Sequence, residues 1–256
     1  MNNTSVEKIG CFTTILDPYN GITIDKDNLP KTAYEFEENL DLLIANVKNR
    51  RNLIWIYIGI ENSSYVPIAT EKGFFFHSCD EDYILVVKRV FPNAIVPTAA
   101  NHTLGVGVVV LNENSELLVI KEKISTLGFK LPGGHIDNCE MISKAAQREV
   151  LEETGVDVTF DSIISLGHFY PHQFHKSNLY ILCTATPNSL EIDIQDTEEI
   201  LEAKWIDIDE YLNDESVLDY LKAIIATALQ YKGFNLANYD TLSHIKKDFE
   251  LFFPKN

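Results

Sequence analysis

Apolar residues recur along this chain with two different periods, and each change of period marks a new element. Over residues 33–49 the inward set Leu40, Leu43, Ile44 and Val47 is spaced three or four apart, which predicts an amphipathic helix. Residues 53–60 are an unbroken apolar run, short enough for a buried strand, and residues 21–24 are a briefer one. Residues 65–72 carry a helical pattern. Residues 74–77 and 83–90 read as paired strands on either side of Asp80-Glu81, so this part of the chain is expected to form a small α/β unit. A second set of elements begins at Gly105. Residues 105–111 and 117–121 are apolar strands joined by Asn112-Glu113-Asn114-Ser115, the pattern of a hairpin. A strand is expected at 128–131, and a helix at 141–154 with Met141, Ile142, Ala145, Ala146 and Val150 along one stripe. Strand patterns follow at 156–160, 163–170, 179–185 and 203–206, and helical patterns at 217–231 and 239–249. A sheet with helices on both faces is an α/β/α sandwich.

A composition shift over residues 91–100, bracketed by Pro92 and Pro97, divides the chain into a domain of residues 1–96 and one of residues 97–256. The first contains no phosphate-cradling glycine loop, no Ser/His/Asp set and no basic stripe. It is expected to be an accessory or dimerisation domain, forming part of a homodimer interface or packing on its own catalytic domain.

The chemistry is concentrated in residues 134–156, GHIDNCEMISKAAQREVLEETGV. On a helix, Glu149, Glu152 and Glu153 stand at i, i+3 and i+4 and leave one face together. An ordinary solvated face would pair each Glu with a base four residues on, whereas Glu149 is followed by Glu153 and Arg148 by Glu152. Three crowded acids must titrate upward or be neutralised by a cation, and an all-oxygen cluster suits Mg²⁺ or Mn²⁺. Gly133-Gly134 supplies a sharp turn and a close backbone approach, from which the Gly134 carbonyl can face a metal. Gly155 is the expected helix C-cap.

The spacing resembles the signature of the Nudix hydrolases at every fixed position: Gly134, Glu140, Arg148, Glu149, Val150, Glu152, Glu153, Gly155 and Val156. Cys139 stands where such sequences often have Gly. The likeness continues through YNGITIDKDNLP (19–30), VPIATEKGFFFHS (66–78), HTLGVGVVVLNENSELLVIKE (102–122), FKLPGG (129–134), KSNLYILC (176–183) and EEILEAKWIDIDEY (198–211). These stretches are similar to Nudix proteins of plants and animals that carry a pre-Nudix domain. The resemblance implies a Nudix α/β/α sandwich with a mixed sheet, preceded by a small acetyltransferase-like α/β domain. The acetyltransferase activity does not carry over, because the glycine-rich pyrophosphate loop it needs is missing. What the family implies is Mg²⁺- or Mn²⁺-dependent hydrolysis of a nucleoside diphosphate linked to another group. On that basis Gly134, Glu149, Glu152 and Glu153 are the metal ligands, and Glu152, Glu153 or Glu199 is the proton acceptor. Glu140 supports the site and Arg148 orients its acids.

Charge and cysteine usage narrow the setting. A formal net charge of −17 repels phosphate backbones and argues against a nucleic-acid partner. The 4 cysteines are far apart and form no metal-finger spacing, which fits free thiols in a reducing, cytoplasmic compartment. No apolar run is long enough to span a bilayer. Pro171 interrupts any helix that would align His168, His172 and His175 around zinc, and Phe169, Tyr170, Phe174 and Lys176 are instead candidates to line a pocket. Two function classes follow: a pyrophosphohydrolase acting on a nucleotide conjugate of the ADP-ribose, NADH or coenzyme A type or on an oxidised nucleoside triphosphate, or a non-catalytic nucleotide-sensing regulatory module. The complete acidic set favours the enzyme. The coenzyme A and NADH subgroup motifs are not found in this sequence.

Overall fold

The computed structural model describes residues 5–125, 128–237 and 248–254. The chain divides into two compact units between Ala100 and Asn101.

In the first unit a hairpin of β1 (Val6–Ile9) and β2 (Phe12–Leu16) leads to β3 (Ile22–Ile24) and α1 (Ala33–Val47). Then come β4 (Leu53–Gly59), α2 (Tyr65–Glu71), β5 (Phe75–Cys79) and β6 (Tyr83–Arg89). The sheet order is β1-β2-β3-β4-β6-β5, with β3 and β4 parallel and the other neighbours antiparallel. Thr32 caps α1, its hydroxyl accepting from the Glu35 N–H at 3.2 Å. The unbroken apolar run of β4 is explained by its two faces. Ile54, Ile56 and Ile58 join Phe36, Leu40 and Leu43 of α1 in one core, while Leu53 and Trp55 join Leu85 and Val87 in another. The hairpin of β1 and β2 was not legible in the sequence, because Glu7-Lys8 and Thr13-Thr14 break the alternation that a half-buried strand shows.

The second unit runs β7 (His102–Val110), β8 (Glu116–Glu122), α3 (Ile142–Thr154), β9 (Val158–Phe169) and β10 (Ser177–Pro187). It continues through β11 (Ile200–Asp207), α4 (Ile208–Asn213), α5 (Asp219–Gln230), β12 (Phe234–Leu236) and β13 (Phe252–Pro254). One sheet has the order β13-β12-β9-β10-β7, with β7 parallel to β10 and β9 antiparallel to it, so the sheet is mixed. Strands β8 and β11 form a separate antiparallel pair. Alternation along β7 builds the layers. Val106, Val108 and Val110 pack with Ala145, Ala146 and Val150 of α3, while Val109 faces Leu221 and Ile225 of α5. Helices therefore cover both faces of the sheet.

Three expectations are corrected. Strands β7 and β8 are not a full hairpin: they meet only at the Leu111–Leu117 bridge and the Asn112 N–H to Glu116 O bond of 3.0 Å. Beyond the turn they separate, because the segment 130–136 threads between them. Ile120 and Lys130 exchange two bonds of 2.9 Å, Val108 and Val106 donate to Pro132 O and Gly134 O at 2.9 Å each, and Ile136 donates to Leu104 O at 3.0 Å. The same segment is not the regular strand expected at 128–131. Pro132 has no N–H and Gly133 adopts φ +145°, so a regular ladder cannot form there. Residues 156–160 and 163–170 belong to one 12-residue strand, β9, in which Ser162 is buried and shares a 2.8 Å hydroxyl bond with Thr184. The helical pattern at 239–249 falls largely outside the described residues, and Asp248 and Phe249 are not helical.

Candidate active site

The site forms where α3 leaves the threaded segment. Helix α3 turns its alanines and Val150 to the sheet, which leaves Glu149 beside Gly134, Glu153 beside Gly133 and Arg148 beside His135. Gly155 closes the helix at φ +77°, its N–H donating to Leu151 O at 2.7 Å.

The three acids that α3 contributes are held in two ways. Glu149 and Glu152 both accept from Arg148 Nη1, at 2.9 and 3.0 Å. The same guanidinium makes a bidentate pair with Glu140, 2.8 Å from each of Nε and Nη2, and donates to His135 O at 3.0 Å. Arg148 thereby pins the loop to the helix while neutralising its acids. Its grip on Glu140 holds that carboxyl below the usual carboxylate range, and the carboxylates hold the guanidinium charged. Glu153 is outside this network. It is 5% exposed and accepts from the Gly133 N–H at 2.6 Å. Burial pushes its pKa up to about 8, against the opposing pull of the Gly133 N–H and of Lys130, with Glu149 and Glu199 adding repulsion. Glu149 is also pushed upward, chiefly by burial. Its carboxylate lies where a side chain at Gly134 would stand, Oε2 being 2.7 Å from that position. The Gly134 carbonyl accepts one bond, from the Val106 N–H, and has a second lone pair.

A second acidic group meets the first across the loop. Carboxylate oxygens of Glu122, Glu153 and Glu199 all lie within 4.8 Å of one another, an all-oxygen group suited to a hard divalent cation. Glu122 closes β8 and is paired with Lys130, and Glu199 stands at the head of β11 with its N–H on Asp196 Oδ1 at 3.0 Å. Glu122 and Lys130 were not singled out in the sequence, where a charged residue closing an apolar strand is indistinguishable from a solvated strand end. Glu152 is half exposed and sits on the Arg148 side of the site. Of the histidines, His168 faces His102, Nε2 to Nε2 at 3.1 Å, and the His172 ring lies 6.4 Å from that of His135. Phe169 at the end of β9, and Tyr170 and Phe174 on the turn that follows it, are exposed.

A NUDIX domain family model matches residues 101–226, and a Nudix hydrolase domain model matches residues 12–90. The chain is 34% identical over 184 residues to nucleoside diphosphate-linked moiety X motif 6 of Xenopus laevis, covering 69% of this chain and 84% of that protein. This chain belongs to the Nudix hydrolase family. It is also 35% identical over 208 residues to Nudix hydrolase 8 of Arabidopsis thaliana, covering 78% of this chain and 56% of that protein. A solved NUDIX hydrolase from Nitrosomonas europaea aligns at 25% identity with a TM-score of 0.45, over 54% of this chain and 97% of its own. The chain spans 56% to 62% of the length of three plant Nudix hydrolases that it matches. In this Nudix chain the signature helix and its loop are the elements that gather Arg148 and the acids.

Proposed function

We propose that this protein is a divalent-metal-dependent pyrophosphohydrolase that cleaves a nucleoside diphosphate linked to another moiety, of the ADP-ribose, NADH or coenzyme A type. The observation that carries the reading is the buried Glu153, whose carboxylate lies within 4.8 Å of those of Glu122 and Glu199, a crowding of acids that a divalent cation would relieve. The donor set of carboxylates and a carbonyl fits Mg²⁺ or Mn²⁺. Gly134, Glu149, Glu152 and Glu153 would hold it, and Glu122 is added to them here. When bound, the ion supplies Lewis acidity and offsets the charge of the pyrophosphate.

The chain's own residues do the rest. Arg148 fixes Glu149 and Glu152 in place, and Glu140 fixes Arg148. The turn at Gly133-Gly134 brings backbone close enough for a phosphate to meet it without a side chain between. Glu199, exposed and next to Glu153, accepts the proton from the attacking water, with Glu152 or Glu153 as the other candidate acceptors. The first unit is read as an acetyltransferase-like pre-Nudix domain without that chemistry, and the setting as cytoplasmic. All four cysteines are free, and no helix among the described residues is long and apolar enough to cross a membrane.

The test is incubation with ADP-ribose, NADH, coenzyme A and oxidised nucleoside triphosphates, with Mg²⁺ or Mn²⁺ and with EDTA. Release of AMP from ADP-ribose or NADH, of adenosine 3′,5′-bisphosphate from coenzyme A, or of pyrophosphate from the triphosphates is expected with either ion and not with EDTA, and trace zinc alone does not restore it. Turnover in metal-free buffer overturns the metal assignment. Tight binding of a conjugate with no cleavage under any condition identifies a sensor instead.

A further inference from the structure

Strand β7 carries glycine at two alternate positions, Gly105 and Gly107, where the same face one step further on has Val109. Glycine inside a strand costs stability and marks a place that another group approaches closely. Here that group is a ring. Tyr180 of β10 stands beside Gly105 in the parallel ladder and lies over both glycines: a Cβ at Gly105 would be 2.8 Å from its Cδ2, and one at Gly107 would be 2.8 Å from its Oη. Neither position can take a side chain while the phenol lies there.

The ring is set against the turn of the acidic centre. A Cβ at Gly105 would also be 3.1 Å from Gly134 O, and one at Gly133 would be 2.7 Å from Gly107 Cα. The phenol therefore runs from the Gly134 carbonyl toward the backbone whose N–H holds Glu153. Inward it packs with Val109, Leu131 and Leu182. A phenylalanine would fill the same space, which leaves the hydroxyl without a packing role. Among the described residues no group hydrogen-bonds to Tyr180 Oη, and the atom keeps accessible surface, so an incoming group can reach it. Burial pushes the phenol above its ordinary value of 10, and Glu153, Tyr220 and Glu149 push it the same way, so it remains an O–H donor.

The strong donors around it are already engaged. Arg148 is on Glu140, Glu149, Glu152 and His135 O, Lys130 is on Glu122, and the Gly133 N–H is on Glu153. A pyrophosphate entering among carboxylates needs donors for the non-bridging oxygens that a cation does not take. We propose that the Tyr180 hydroxyl binds substrate by donating to a non-bridging oxygen of the pyrophosphate, with Gly105 and Gly107 as the positions that let the phenol lie against the turn. This role rests on the pyrophosphohydrolase reading and adds to that site a residue outside the signature.

The experiment is isothermal titration of the full chain with methylenediphosphonate, a pyrophosphate mimic whose P–C–P bridge is not hydrolysed, in wild type and Tyr180→Phe, with the same Mg²⁺ in cell and syringe. Melting temperature and Mg²⁺ affinity are measured alongside. The phenylalanine removes one oxygen and keeps the ring on its glycines. Saturable binding is expected in wild type, weakened at least about tenfold in Tyr180→Phe by loss of a hydrogen bond to a charged group. Melting temperature and Mg²⁺ affinity are expected to stay the same, and kcat/KM to fall by a like factor for any conjugate that the wild type cleaves. Binding as tight in the variant as in wild type overturns the role of Tyr180 and leaves the hydrolase reading standing. Weaker binding with an equal loss of Mg²⁺ affinity or a lower melting temperature also overturns it, because the hydroxyl then supports the fold of the site and not the substrate. No saturation of wild type up to about 10 mM removes both.

Discussion

At the scale of single residues, the contrast between Glu152 and Glu153 is the most informative. One is half exposed on Arg148, and the other is buried on a backbone N–H. Replacing either by Gln keeps shape and removes charge, and the expected loss in turnover is about 10²–10⁴-fold, equivalent to roughly 3–5 kcal/mol of barrier. Wild-type rates in both variants would remove the metal site from this helix. Glu140→Gln is expected to cost less, since Glu140 acts through Arg148. Glu153 also predicts a pH dependence of stability in EDTA. Its carboxyl titrates near 8 when folded against an ordinary value of 4.5, so the stability tied to its protonated form is full below about 4.5 and is lost as pH rises through about 8. Glu153→Gln is therefore expected to match wild type near pH 4.5 and to exceed it above pH 8, by on the order of 1–4 kcal/mol in urea unfolding. Equal stability of the two proteins at high pH would mean that Glu153 is solvated.

At the scale of elements, the threaded segment 130–136 decides the site. A Cβ at Gly133 would stand 2.1 Å from Val106 O and 2.7 Å from Gly107 Cα, both backbone atoms of β7, and φ there is +145°. Gly133→Ala must push the segment off the strand, and with it the N–H that holds Glu153. The expected cost is about 3 kcal/mol or more in thermal or urea unfolding, together with loss of activity. A fully stable variant would show that the segment is free to move. The hairpin expected from residues 105–121 failed here for the same reason. A turn sequence specifies that the chain reverses, whereas the pairing of the two strands was displaced by a segment that follows them in the chain.

At the scale of the whole molecule, the net charge of −17 and the composition of the first unit bear on assembly. The unit carries apolar strands and aromatic groups yet no acidic centre, and an assembly that buries them is expected. Light scattering is predicted to give twice the chain mass where the unit forms a homodimer interface, and the chain mass where it packs on its own catalytic domain. A monomer, with stability and kinetics unchanged on deletion of residues 1–96, would argue against a structural role for this unit. The charge predicts that RNA or DNA is not retained at physiological salt, with any residual affinity weaker than about 10⁻⁴ M by filter binding.

The sequence by itself determined the elements whose signals are local: α1 and α3 by apolar spacing, the end of α3 at Gly155, the buried β4, and the shared face of Glu149, Glu152 and Glu153. Each depends on residues within a few positions of one another, where helix and strand periods act directly. Only the tertiary structure decided which acids meet. Glu122 and Glu199 reach Glu153 through the pairing of β8 with β11 and the passage of the threaded segment beside them, contacts between residues far apart in the chain. Local spacing carries no record of such contacts. The same reason left the division of labour between Arg148 and the Gly133 N–H, and the unpartnered hydroxyl of Tyr180, to the folded molecule, since burial and hydrogen-bond partners exist only once distant segments have packed.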